Sequence, residues 1–242
     1  MVRLTYGINF AAVLLVAALA APTGAPTAGP RQGATPTPTA APTVTPTPTP
    51  VSGALGDATV ASPGSERVTS TGGPIGSAVI PQDADFPSCP HMNTEVTAET
   101  ARQVDTAALC LINKLRRQKH LRALKNNAQL HKAAERHARD MVANAYFSHE
   151  SKSGRDVSDR VRVAGYLRGY PGWQIGENLA WGSGVKSSAR QIVLAWMGSP
   201  GHKQNLMNRK FREAGMAVAP GAPMSVDGTA GTYANVFGTR SR

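Results

Sequence analysis

The chain has 242 residues, with 26 Lys and Arg against 15 Asp and Glu, and only 5% of its residues are aromatic. This length allows one domain or at most two. A net charge of +11 favours contact with polyanions, but the scarcity of aromatic side chains for base stacking argues against dedicated nucleic-acid recognition.

The N-terminus is typical of an export signal. Arg3 supplies the positive start, an apolar run extends from Phe10 to Ala21, and Ala18-Leu19-Ala20 forms a small-x-small cleavage site. The alternative is a membrane anchor, but the run is shorter than the roughly 20 residues that cross a bilayer. We predict a cleaved signal peptide over residues 1–20 and a secreted or extracellular protein, with cell-wall association as an option.

A long segment of biased composition follows. Residues 22–50 hold nine prolines and nine threonines, a composition that cannot bury a core. A plain spacer and an O-glycosylated stalk both fit it. Residues 51–85 continue in Gly, Ser, Ala and Val without helical or strand periodicity. We therefore predict a disordered linker over residues 21–85, before one domain over residues 86–242.

The only two cysteines are Cys89 and Cys110. In an exported chain an even count favours a disulfide, although two buried thiols are the alternative. The bridge would close a loop of about 22 residues, for which chain entropy predicts about 3 kcal/mol of stabilisation.

Apolar periodicity in the domain predicts helices and then strands. The helices are expected over Thr100 to Gln118, after the N-cap Asn127, over Val157 to Ala164, and over Ser188 to Met197, the last stopping before Pro200. The strands are expected at Ile175 to Trp181, Gly215 to Ala219 and Thr232 to Phe237. Helices combined with a small antiparallel sheet predict an α+β fold, a single α-β-α sandwich.

Three segments place a polar side chain among small and aromatic residues. They are Tyr146-Phe147-Ser148-His149, Gly176-Glu177-Asn178-Leu179-Ala180-Trp181, and Ser199-Pro200-Gly201-His202-Lys203-Gln204-Asn205-Leu206. An isolated histidine is more often a structural hydrogen-bonding group than a ligand. His137 in particular lies on the buried face of the second helix, so we expect it to be a core residue bonded to backbone.

The order of these segments resembles the CAP superfamily of cysteine-rich secretory, antigen 5 and pathogenesis-related proteins, especially its bacterial SCP-like extracellular branch. Further matching elements are Leu111-Ile112-Asn113, Arg116, His137-Ala138-x-Asp140-Met141, Arg160, Ala164-Gly165-Tyr166, Trp196-Met197, Phe211-Arg212-Glu213-x-Gly215 and Phe237-Gly238. The resemblance implies an extracellular α-β-α sandwich whose cavity is lined by two histidines and two glutamates. It places His149, Glu177 and His202 there, whereas Ser199 stands where the second glutamate is usual. Glu150 is a suggested substitute that no spacing argument requires.

A metal is one interpretation of this pocket. The imidazoles of His149 and His202 can share Zn²⁺ or another divalent cation, weakly, since catalytic zinc usually has three protein ligands. Glu177, the candidate catalytic residue, would then orient a metal-bound water or act as its base. Asn178 and Asn205 are candidates for holding a histidine in one orientation.

Three hypotheses of function follow. The preferred one is a monomeric, non-enzymatic binding module for anionic envelope polymers, lipids or small apolar ligands. The second is a hydrolase of peptides or wall polymers, metal-assisted, or with Ser148 or Ser199 as the nucleophile, although no G-x-S-x-G motif supports that variant. The third is a structural envelope protein with a vestigial pocket.

Overall fold

The computed structural model describes residues 86–242 in full and, before them, the backbone of three short strands between residues 53 and 70. The predicted signal peptide and the segment rich in proline and threonine lie outside the described residues and stay predictions. All the described residues fall within one compact unit of the chain. In this part of the protein, no helix is both long and apolar enough to cross a bilayer.

The four predicted helices are confirmed, and one more is added. The helices are α1 (Ala101–Gln118), α2 (Ala128–Ala143), α3 (Val157–Val163), α4 (Ala189–Gly198) and α5 (Pro200–Leu206). Asn127 caps α2 as expected, because its side chain accepts from the backbone N–H groups of Gln129 and Leu130. Pro200 does not end the helical region. It lies in the first turn of α5, where its missing N–H costs nothing.

The strands form one mixed sheet. They are β1 (Gly53–Leu55), β2 (Ala58–Ala61), β3 (Val68–Ser70), β4 (Lys125–Asn126), β5 (Gly172–Ser183), β6 (Glu213–Pro220) and β7 (Ala230–Ser241). Their order is β3-β2-β5-β7-β6-β4, and β1 also pairs with β5. The central strands β5, β7 and β6 are antiparallel, so the three predicted strands are confirmed.

Strands β1, β2 and β3 correct the expectation that residues 51–85 contain no strand. β2 pairs with β5 and places Thr59 opposite Glu177. A segment of three or four residues carries almost no periodicity of its own, and its pairing depends on a partner strand more than 100 residues away. Part of the predicted linker therefore belongs to the sheet of the domain.

Helices cover both faces of the sheet, which confirms the α-β-α sandwich. Helices α2 and α3 pack on one face, against Ala234 and Val236 of β7. Helices α1, α4 and α5 pack on the other, against Tyr233 and Phe237 of the same strand. This alternation follows from the two-residue period of a strand. We call the two sides the α2 face and the α4 face.

Helix α2 approaches the sheet closely at Gly215 of β6. A Cβ atom at this position would lie 2.0 Å from the backbone nitrogen of His131 in α2. Only glycine therefore lets the helix backbone settle onto the strand. This contact sets the distance at which α2 presents His137 to the interior.

The predicted disulfide between Cys89 and Cys110 is present, with a Cα–Cα distance of 6.2 Å. It ties the segment before α1 to the helix itself. The described residues contain no free cysteine.

Candidate functional site

Two neighbouring residues of β5, Glu177 and Asn178, direct their side chains to opposite faces of the sheet. Successive side chains of a strand alternate, and the contacts agree: Glu177 bonds Arg160 of α3, whereas Asn178 donates to the backbone oxygen of His202 in α5. The Gly-Glu-Asn motif therefore serves two separate polar groups. We call them the glutamate cluster (Glu177, Arg160, His149, His137) on the α2 face and the asparagine cluster (Asn178, Asn205, His202, Ser199) on the α4 face.

The carboxylate of Glu177 is fully buried and both of its oxygens are occupied. Arg160 Nη2 lies 2.7 Å from Oε1 and 2.8 Å from Oε2. His149 Nδ1 lies 2.7 Å from Oε2. The side chain of Arg160 is itself only 9% exposed, so the pair is shielded from solvent. A buried pair of this kind is retained only when its hydrogen bonds are largely satisfied.

Helix α3 holds Arg160 in place. Asp156 and Asp159 form a reciprocal capping box at its N-terminus. One turn later, Arg160 Nη1 donates to the backbone oxygens of His149, at 2.7 Å, and Arg155, at 2.9 Å. Arg160 thus ties the loop before α3 to the sheet.

The surroundings of Glu177 decide its protonation. Burial alone raises the pKa of a carboxyl group. The Arg160 guanidinium and the hydrogen bond from His149 outweigh burial, so the pKa of Glu177 is well below its usual range. Glu177 is therefore a stable anion and a poor proton acceptor.

His137 completes the glutamate cluster and confirms the expectation of a core histidine. It is 1% exposed, and its Nε2 lies 2.9 Å from the backbone oxygen of Ser148. Burial lowers the pKa of His137 to about 4, so the ring is neutral at pH 7. A neutral ring bonded to a carbonyl through Nε2 carries its hydrogen there.

The asparagine cluster consists of two amides, a hydroxyl and a buried imidazole, packed closely together. His202 is fully buried, and its Nδ1 lies 2.7 Å from Ser199 Oγ. Asn178 Nδ2 lies 3.1 Å from the backbone oxygen of His202. Asn205 Nδ2 donates to Asn178 Oδ1 at 2.9 Å and to the backbone oxygen of Glu177 at 3.2 Å. These amides fix backbone positions, whereas we had expected them to orient an imidazole.

The structure does not assemble the predicted pocket of three side chains. His149 and Glu177 meet, but His202 belongs to α5, which packs on the opposite face with Asn178. In the described residues, no group of three or more His, Cys, Asp or Glu side chains is arranged to hold a metal ion. Arg160 also takes both oxygens of Glu177 and repels a cation. These residues do not fit the predicted Zn²⁺ site.

A serine-based triad is not formed either. Ser199 and His202 are within hydrogen-bond distance, but Glu177 lies across the sheet and cannot orient that imidazole. A histidine base needs such a third group to hold its tautomer.

Sequence reasoning assigned no role to Arg160, although this residue belongs to the matching motifs. Its position one turn after a capping box can be recognised in the sequence. Its ion pair with Glu177 cannot, because it joins segments 17 residues apart in different elements. Glu150, the suggested substitute for the missing acid, is exposed.

Comparison with known sequences gives two matches. The sequence profile of the cysteine-rich secretory protein family, CAP, matches residues 109–233. The uncharacterized protein YkwD of Bacillus subtilis (strain 168) is 31% identical over 106 residues, which are 44% of this chain and 38% of that protein. The matched segment therefore covers well under half of the relative.

Solved structures give further similarities. An extracellular protein containing a SCP domain from Bacillus anthracis str. Ames is 25% identical with a TM-score of 0.44, over 62% of this chain and 44% of that one. An outer surface protein from Borrelia burgdorferi is 23% identical with a TM-score of 0.47, over 62% of this chain and 100% of that one.

Proposed function

The chain belongs to the cysteine-rich secretory protein (CAP) family, and from that premise we propose that it is an exported module that binds anionic polymers of the cell envelope without hydrolysing them. The positive charge of the domain indicates the polymer partners. The hydrogen bonds and the lowered pKa of Glu177 argue against catalysis.

One observation carries the proposal: Glu177, the candidate catalytic acid, already has hydrogen-bond partners on both carboxylate oxygens. Both oxygens of Glu177 accept hydrogen bonds, from Arg160 and His149. A general base needs a pKa near the working pH and a free lone pair directed at its substrate. The lowered pKa of Glu177 and its full burial oppose both requirements. The geometry supports an ion pair that maintains the loop before α3, and so favours binding over hydrolysis.

Charge supports the choice of partner. Residues 87–242 hold 23 Lys and Arg against 11 Asp and Glu, a net charge of +12. A basic surface attracts polyanions over roughly a Debye length, about 8 Å at physiological ionic strength. Phosphate-bearing wall polymers supply such charge outside the cell.

Export is supported by the N-terminal sequence and by the disulfide. The apolar run and the Ala18-Leu19-Ala20 site fit a cleaved signal. The bond between Cys89 and Cys110 is of a kind that persists in oxidising compartments.

Binding to a defined polymer tests the proposal. The full chain would be titrated into end-labelled poly(glycerol phosphate), with dextran as the neutral control, and anisotropy would be read at low and at high salt. We expect binding to the charged polymer alone, weakening as salt rises. Equal affinity for both polymers, or none for either, would overturn the proposal, and the second outcome would favour a structural role.

Hydrolysis is measured in the same samples by the release of glycerol phosphate, with and without added Zn²⁺. We expect no release from the wild type or from Glu177→Gln. Turnover that disappears in Glu177→Gln, with the fold retained, would restore the hydrolase hypothesis.

A further inference from the structure

A cavity of about 220 Å³ lies between α2, the loop of residues 151–155 and α3. It does not include Glu177, His149 or His202. The polar residues that line it and bear on its chemistry are Arg136, His137, Ser151, Ser153, Arg155 and Arg160. We call it the α2–α3 cavity.

Positive charge dominates the lining of this cavity. Arg136 and Arg155 are exposed, and within the described residues neither makes an ion pair, whereas Arg160 is neutralised by Glu177. The cavity also contains Asp140. Its carboxylate already accepts from the Tyr146 hydroxyl and, at 2.7 Å, from Asn144 Nδ2. The Asp140 carboxylate keeps its charge, but the two unpaired guanidinium groups outnumber it and leave the lining with a net positive charge.

Two residues of the cavity lining each carry a buried polar atom that lacks a hydrogen-bond partner among the described residues. The two atoms are Arg160 Nε, which can only donate, and His137 Nδ1. Because His137 carries its hydrogen on Nε2 toward Ser148, its Nδ1 is an acceptor. An unpaired buried polar atom costs free energy. An oxygen acceptor and a hydroxyl donor are the ligand groups that would complement these two atoms.

We propose that the α2–α3 cavity is the subsite for one phosphate group of an anionic polymer, with a neighbouring hydroxyl of the polyol directed at His137. The assignment rests on the proposed function and locates it. A phosphate has several oxygens in a tetrahedral array and accepts from Arg136, Arg155 and Ser153 at once, whereas a carboxylate offers two oxygens in one plane. Arginine pairs phosphate through two parallel hydrogen bonds.

Calorimetry with a small probe tests the subsite. Glycerol 3-phosphate carries the phosphate and the hydroxyl, and would be titrated into the full chain and into Arg136→Gln and Arg155→Gln. Arg139→Gln is the matched control: it removes the same charge from an exposed position on α2, three residues from Arg136. Each cavity variant should raise the Kd at least tenfold and the control less than twofold. The replaced arginines are exposed, so the thermal midpoints should coincide and exclude misfolding.

Three outcomes would overturn the subsite. The first is no heat with the wild type. The second is equal weakening by all three variants, which would indicate general charge attraction. The third is tighter binding of phosphatidylglycerol vesicles than of poly(glycerol phosphate), with the same variants affected, which would place the phosphate on a lipid.

The polymer titration separates this inference from the proposed function. If poly(glycerol phosphate) binds the wild type and all variants equally, the subsite fails and the proposed function stands. If the wild type binds glycerol 3-phosphate but not the polymer, the proposed function fails and the cavity remains a phosphate site.

Discussion

The two faces of the sheet stabilise the buried polar side chains of β5 in different ways. On the α2 face, Glu177 is buried as an anion and held by Arg160 and His149. On the α4 face, Asn178 and Asn205 form a neutral network with backbone oxygens. The two arrangements start from adjacent residues of one motif. Adjacent polar residues of one strand motif therefore need not share a site, because their side chains lie on opposite faces of the sheet.

The difference has an energetic consequence. A neutral amide network loses one or two hydrogen bonds when a member is removed, whereas a buried carboxylate loses its counter-charge. We therefore expect the α2 face to be the more sensitive to substitution and to pH, and the following variants test that order.

The largest effect is expected from Arg160→Met. This change leaves the fully buried Glu177 without its guanidinium partner, and breaking a buried pair in this way costs about 3–5 kcal/mol. The free energy of unfolding in guanidinium chloride would measure it. The double variant Arg160→Met, Glu177→Gln should recover part of the loss, because no buried charge is then unpaired. A loss below about 1 kcal/mol would mean that the two faces do not differ as described.

The next largest effect concerns acid. The folded pKa of His137 is about 4, below the unfolded value of about 6.5. Its contribution to stability is thus complete above pH 6.5 and is lost as the pH falls toward 4, by about 3 kcal/mol in total. Glu177, whose pKa is also lowered, adds a loss in the same direction below about pH 4.5.

Urea unfolding at a series of pH values, with His137→Gln beside the wild type, checks the acid effect. Glutamine keeps a donor for the Ser148 carbonyl but does not titrate. The variant should lose the slope between pH 6.5 and 4 and keep the fall below it. Asn178→Ala, on the opposite face, should keep the whole wild-type slope. An unchanged slope in His137→Gln would show that other groups cause the acid sensitivity.

A smaller effect is expected on the α4 face. Asn178→Ala removes a donor to the His202 carbonyl and an acceptor for Asn205, which should cost about 1–3 kcal/mol. The measurement is again the free energy of unfolding. A cost above that of Arg160→Met would reverse the proposed order of the two faces.

The smallest effect belongs to Ser199→Ala. It removes one hydrogen bond, to Nδ1 of His202, and should cost about 1 kcal/mol. Binding of poly(glycerol phosphate) should be unaffected because Ser199 lies on the face opposite the α2–α3 cavity. Lost binding in a folded variant would relocate the polymer site to the α4 face.

Local patterns in the sequence determined much of the fold. Apolar residues at helical spacing located α1 to α4, a capping asparagine located the start of α2, and the two cysteines located the disulfide. His137 was identified as a core residue because its helical position coincides with a buried stripe. The inferences about helices depend on residues that are near one another in the chain, where spacing translates directly into geometry. The disulfide followed instead from an even cysteine count in a chain predicted to be exported.

The tertiary structure decided what joins distant segments. Residues between 53 and 70 became strands only because the edge of β5 was available to pair with them. Pro200 began a helix where it was expected to mark a boundary. Above all, His149 and His202 were assigned to one pocket from the order of their motifs, while the alternation of β5 and the packing of helices on both faces placed them on opposite sides. The partner of Glu177 was settled likewise by the packing of α3, since an ion pair between separate elements leaves no periodic trace in the sequence.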